Sequence, residues 1–109
     1  MAIKQVAQRS VTIESGQTES DPIDLFGRTV WAIEFPATMT GTGLTLKSGA
    51  NEALVRNFAN DADYTVTKAD SKIVPLDLRV TASLVDLILV SSGSEGADRT
   101  FVLYLREQE

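Results

Sequence analysis

The chain has 109 residues and a mass of 11.8 kDa, which suits one domain with one hydrophobic core. It contains no cysteine, so it can form no disulfide and no thiolate metal site. It contains no histidine either, which excludes an imidazole metal site and a Ser-His-Asp triad. A net charge of −5 argues against a nucleic-acid partner, because phosphate contacts need clustered lysine and arginine. We therefore expect a binding protein that is not an enzyme, with no cofactor and no metal.

Apolar residues are distributed along the chain in short groups. No run of 18 apolar residues occurs, and residues 1–20 lack the continuous apolar stretch of a signal peptide. The sequence therefore predicts no membrane partner. We expect a protein that is made in a cytoplasm and used there or in a particle assembled there.

Hydrophobicity alternates with a period of two along almost the whole chain, which is typical of β-strands. We interpret residues 1–9 as an extended N-terminal arm and residues 10–109 as a single domain. Turn-forming residues separate the predicted strands, which lie at 10–14, 21–25, 28–35, 43–47, 53–59, 63–67, 72–76, 84–91 and 99–106. Short strands at this spacing predict an all-β fold, an antiparallel β-sandwich or small barrel.

Two segments depart from regular strand chemistry. Pro22 lacks a backbone donor, which favours a sheet edge for residues 21–25. Residues 76–84 are the one stretch in which a helical turn fits the sequence.

Two further features resemble ligand sites but have simpler interpretations. Residues 60–63 group oxygen-bearing side chains as a calcium loop does, yet they lack its spaced acids and terminal glutamate, which favours a hairpin turn. Trp31 and Tyr104 could form a platform for a sugar or a base. Strict alternation, however, places Trp31 on one face with Ile33 and Phe35, which indicates the core.

The last two predicted strands are apolar on both faces, unlike strands with one face in water. Asp86 and Arg106 mark the outer face of each. These outer faces form a predicted oligomer interface that consists of Leu84, Asp86, Ile88, Val90, Val102, Tyr104 and Arg106. Val30 and Ala32 are candidates to extend it. Full burial of each such apolar side chain contributes about 1.5–3 kcal/mol, which favours their burial in a contact between copies. The alternative is that a loop or the arm of the same chain covers them.

The predicted arm carries Lys4 and Arg9 and no acidic residue. It is either a solvated tail or an extended segment that adds to the sheet edge of another protein. In the second interpretation the contacts come from Ile3, Lys4, Gln5, Val6 and Arg9.

The order of these features resembles that of small bacteriophage virion proteins. Residues 11–27 contain an I-x-x-G-x-x-x-S-x-x-I-x-L stretch, which precedes a strand that ends in a proline. The similarity continues over most of the chain, through 30–36, 44–48, 73–77, 87–93 and 99–105.

Proteins of this type include capsid decoration (cement) proteins, which have a jelly-roll-like β-sandwich and form homotrimers on the outer capsid surface. The resemblance implies that the partner is a major capsid protein, that the chain stabilises the head and that the arm reaches the capsid. The alternative is a carbohydrate- or receptor-binding module of a phage tail, although the predicted loops are rich in Gly, Ser, Thr and Asp rather than in aromatic residues.

Overall fold

The structure, a computed structural model, describes residues 6–48, 54–55, 62–82 and 84–107. In that part of the chain it contains eight strands and one short helix. The strands are β1 Val6–Ile13, β2 Ile23–Asp24, β3 Arg28–Glu34, β4 Gly43–Lys47, β5 Thr65–Thr67, β6 Ile73–Pro75, β7 Asp86–Ser91 and β8 Arg99–Glu107, and the helix is α1 Leu78–Thr81. The predicted strand at 53–59 lies mostly outside the described residues, apart from Leu54, which forms an isolated bridge to Lys47, and Val55.

The strands form two four-stranded sheets that pack together, which confirms the predicted antiparallel β-sandwich. The first sheet has the order β1-β8-β3-β6, and the second has the order β2-β7-β4-β5. All pairings within the sheets are antiparallel. The helical turn expected within 76–84 is present as α1, whose first turn is capped by the Asp77 carboxylate accepting from the Arg79 N–H.

The core lies between the two sheets and is built from alternate residues of each strand. Phe101, Leu103 and Leu105 of β8 are completely buried in it, and Leu87 and Leu89 of β7 meet them from the second sheet. The neighbouring positions on each strand therefore point away from the core. This alternation is the one that the sequence predicts for both strands.

The edge strands confirm one prediction and correct two boundaries. β2 is an edge strand, as predicted, but it spans Ile23–Asp24 and begins directly after Pro22 rather than at residue 21. β1 begins at Val6 and pairs with β8 along its whole length, so residues 6–9 belong to the sandwich and not to an arm. The sequence misplaced this boundary because Arg9 occupies an inward-facing position, where alternation leads one to expect an apolar residue. Residues 1–5 lie outside the described residues.

The turn between β2 and β3 holds a bulky residue in a strained conformation. Phe26 and Gly27 have φ values of 52° and 74°, and the Arg28 N–H closes the turn on the Leu25 carbonyl at 3.0 Å. Glycine adopts this left-handed region freely, whereas a phenylalanine does so at a cost. Phe26 as a whole residue is 66% exposed, so burial of its side chain offsets little of that cost.

Substitution of Phe26 separates this strain from the contacts of the ring. We expect Phe26→Asn to be more stable than Phe26→Leu by about 1 kcal/mol, because asparagine tolerates the left-handed region and leucine does not. Both variants lose the contact between the ring and the Arg9 guanidinium, 5.5 Å from its centroid, so that loss cancels in the comparison. Urea denaturation of the two variants measures the difference, and equal stabilities would show that the turn is unstrained.

Candidate interaction surface

The predicted oligomer interface does not form one surface. Val102, Tyr104 and Arg106 lie on β8 in the first sheet, whereas the remaining predicted positions lie on or beside β7 in the second. Both outer faces point away from the core, so they lie on opposite sides of the sandwich. The physical reason is that β7 pairs with β2 and β4 while β8 pairs with β1 and β3. Consecutive strands in the chain are not neighbours here, and alternation alone cannot reveal that.

The β7 half of the prediction is largely covered. Leu84 is part of the core cluster, and Ile88 is only 5% exposed although it points outward. Val90 bridges to Glu19, whose carboxylate forms an ion pair with Lys47 at 3.1 Å. Asp86 is half-buried, and one of its carboxylate oxygens is buried without a hydrogen-bond partner in the described residues. The interpretation in which the same chain covers an apolar outer face therefore applies to Ile88.

The β8 half lies on a continuous face, which we name the aromatic face and define as the outward side chains of β3, β6 and β8. Tyr104 donates a hydrogen bond of 2.6 Å to the Glu34 carboxylate, and this bond raises the pKa of Tyr104. Trp31 packs edge-to-face on Tyr104, with the ring centroids 6.2 Å apart. The Arg106 guanidinium lies 5.9 Å from the Trp31 ring centroid.

Trp31 reaches this face because of an irregularity in β3. The pairing of β3 with β8 shifts between Val30 and Ala32, so Trp31 is an extra residue in the ladder. Val30 points into the core before the bulge, and Ile33 points into it afterwards. The prediction that Trp31 belongs to the core is therefore wrong, as is the prediction that Val30 extends the interface. Ala32 does lie on the aromatic face, where it is buried opposite Tyr104.

The aromatic face continues onto the edge strand β6. Ile73, which is 54% exposed, and Pro75 point outward there, and Ile73 lies across Glu34 from Val102. Apolar side chains thus extend over three neighbouring strands, with Glu34 and Arg106 supplying one charge of each sign. Aromatic residues and arginine are enriched at protein–protein contacts, and this face presents both.

The predicted arm contacts fall into two groups. Ile3, Lys4 and Gln5 lie outside the described residues. Val6 and Arg9 lie in β1, and Arg9 contacts the Phe26 ring. Arg9 is therefore held by the sandwich.

A buried carboxylate that the sequence pattern did not reveal lies at the end of the sandwich where β1 and β3 finish. Glu95 is 1% exposed, and it accepts hydrogen bonds from the Thr40 N–H, the Gly41 N–H, the Ser91 hydroxyl and the Arg99 guanidinium at 2.7–3.0 Å. A Cβ on residue 41 would collide with the Ser91 hydroxyl, so this close approach requires glycine. The sequence signal was weak, because a glutamate within Ser-Gly-Ser-Glu-Gly is typical of a solvated turn.

The main chain of Glu95 forms hydrogen bonds to a further loop, the one that follows β1. Its N–H donates to the Gln17 carbonyl at 3.0 Å, and its carbonyl accepts from the Gly16 N–H at 2.7 Å. The loops that follow β1, β3 and β7 are therefore held together by one residue. This cluster satisfies its own charges, which indicates a structural role.

Within the described residues, no group of three acidic side chains is arranged to hold a metal ion. No helix in the described part of the chain is long and apolar enough to cross a membrane. No family model, curated protein or solved structure matches the chain.

Proposed function

We propose that the chain is a structural protein of a bacteriophage virion, which binds the major capsid protein on the outer capsid surface as a homotrimer and stabilises the head. The observation that carries the proposal is the aromatic face, where Trp31, Val102 and Tyr104 lie together at the surface of the first sheet. An apolar face of this kind gains stability when a second copy covers it. Glu34 and Arg106 provide both signs of charge for a contact between identical chains.

The strand order supports the jelly-roll-like part of the proposal. In the described part of the chain, eight strands form two sheets, with the first strand beside the last, β2 beside β7 and β4 beside β5. Double-sheet jelly rolls of viral capsid proteins are built from eight strands in this manner. The fold hosts many functions, so the capsid partner depends on the sequence resemblance.

Three linked copies also give a physical mechanism for stabilising a shell. Each copy needs only a weak contact with the capsid, because the second and third contacts of a bound trimer form at high effective concentration. The trimer then bridges neighbouring capsid subunits and resists their separation.

Two measurements test this function. In sedimentation equilibrium, the purified protein should have three times the 11.8 kDa mass of the chain. It should also sediment with capsids assembled without it and raise the temperature at which they open. A monomer that does not bind capsids would overturn the proposal, and glycan-array binding by such a monomer would favour the tail-module alternative. The contacts of Trp31 with Tyr104 and Arg106 oppose that alternative, because they occupy surface that a sugar would stack on.

A further inference from the structure

β1 has an unpaired edge that is long enough to accept another strand. It is the longest edge strand in the described part of the chain, with 8 residues against 2 or 3 in β2, β5 and β6. In an antiparallel pair, only alternate residues direct their N–H and C=O groups toward the partner strand. The other residues of β1 therefore direct theirs away from β8, and within the described residues none of them bonds to another backbone group. Natural proteins usually cover or pair such an edge.

A groove with separated charges runs along this edge. Residues 9–12 of β1 line one side, and Glu14, Asp21 and Ile23 complete it. A second depression continues from Glu14 toward Glu19. Arg9 lies at one end, where it contacts Phe26, and the acidic side chains lie at the other. Glu19 is neutralised by Lys47, but Glu14 and Asp21 form no ion pair within the described residues.

We infer that residues 2–5 of a neighbouring copy bind in this groove, add a short strand to the free edge of β1 and bring Lys4 to Glu14 and Asp21. This inference depends on the self-assembly in the proposed function. An extended segment that joins a sheet edge gains affinity from its main-chain hydrogen bonds and specificity from its side chains. Lys4 provides the positive charge that the acidic end of the groove lacks.

The same copy cannot supply this lysine. β1 separates Val6 from the acidic end by 8 residues, or about 25 Å at the rise of a strand. Lys4 is two residues before Val6, and two residues span at most about 7 Å. Even a fully extended side chain leaves Lys4 short of Glu14. A segment donated from each copy to the next is a head-to-tail contact, which closes into a ring when three copies are related by rotation.

Crosslinking between two different single-cysteine variants tests the placement directly, because the chain has no cysteine of its own. Protein with Ile3→Cys is mixed with protein with Thr12→Cys and treated with a short bis-maleimide. We expect a mixed dimer from this pair. Thr67→Cys is the matched control, since Thr67 is also an edge-strand threonine but lies on β5 of the second sheet. Equal crosslinking of both pairs, or of neither, would overturn the placement.

Charge reversal tests the proposed ion pair. Lys4→Glu should weaken trimer formation about tenfold or more, and so should the double variant Glu14→Lys/Asp21→Lys. A chain that carries all three substitutions should recover trimers, because the charges are then exchanged. Trimers unaffected by Lys4→Glu would overturn the groove assignment and leave the proposed function intact. Intact trimers that no longer bind capsids would assign the segment to the capsid instead, and a monomeric wild type would overturn both proposals.

Discussion

Substitution of Glu95 by alanine should lower the free energy of unfolding by about 3–5 kcal/mol, which is the usual cost of removing one partner from a buried charged cluster. The carboxylate accepts four hydrogen bonds, two of them from the backbone of residues 40 and 41. Without it, these N–H groups and the Arg99 guanidinium lose an acceptor whose side chain is fully buried. Urea or guanidinium denaturation of the two proteins measures the difference.

The control for this experiment is Glu19→Ala. Glu19 also forms an ion pair, with Lys47 at 3.1 Å, but its side chain is exposed, so we expect a loss of at most about 1 kcal/mol. Glu95→Gln keeps the shape and one acceptor oxygen, and it should fall between the two alanine variants. Equal losses for Glu95→Ala and Glu19→Ala would contradict the structural role assigned to the cluster.

The same residue should make stability depend on pH in acid. Burial alone would raise the pKa of Glu95, but the hydrogen bonds from Thr40, Ser91, Gly41 and Arg99 outweigh it and lower the pKa from 4.5 to about 2. A depression of this size corresponds to roughly 3 kcal/mol of stability at neutral pH, in agreement with the expected effect of the alanine substitution.

Acid should lower the stability, because the unfolded chain binds a proton at Glu95 at a higher pH than the folded chain does. Between pH 4.5 and about 2 the unfolded chain protonates Glu95 while the folded chain does not, so acidification favours unfolding. The wild type should therefore lose stability across this window, by up to about 1.4 kcal/mol per pH unit more than Glu95→Gln. Denaturation curves at several pH values measure both slopes, and parallel slopes would show that the carboxylate is not stabilised as the structure indicates.

The fold class was predictable because its signals are local. Alternation with a period of two and turn residues at short intervals specify strands, and Pro22 and residues 76–84 mark an edge and a helical turn through backbone chemistry alone. These features depend on no distant partner. The structure accordingly confirms the sandwich, the edge position of β2 and helix α1.

The candidate surface was only partly predictable because it depends on long-range pairing. The outward positions of β8 were correct, but β7 belongs to the other sheet, so half of the predicted patch lies on the opposite side. The bulge at Trp31 reverses the alternation of β3. Trp31 therefore lies on the surface and Val30 in the core, the opposite of the prediction. Glu95 was missed for a related reason: two of its four donors, the N–H groups of residues 40 and 41, lie 55 and 54 residues away and meet it only in the folded chain.

The split between the two sheets allows a stringent test of the proposed contact between copies. Val102→Asp should convert trimers into monomers, because it places a carboxylate on the aromatic face, directly across from Glu34. Burial of that charge between copies would cost several kcal/mol at each contact. The fold itself should tolerate the change, since Val102 is half-buried and points away from the core, and a like charge on the adjacent strand costs about 1 kcal/mol or less.

Val90→Asp is the matched control. Val90 is also a half-buried, outward-facing valine, but it lies on β7 in the second sheet, next to Glu19. It therefore receives the same new charge beside the same kind of acidic neighbour. We expect Val90→Asp to remain trimeric in sedimentation equilibrium, with denaturation curves showing that both variants fold. Monomers from Val90→Asp together with trimers from Val102→Asp would place the contact on the second sheet, and two trimeric variants would remove both sheet faces from it.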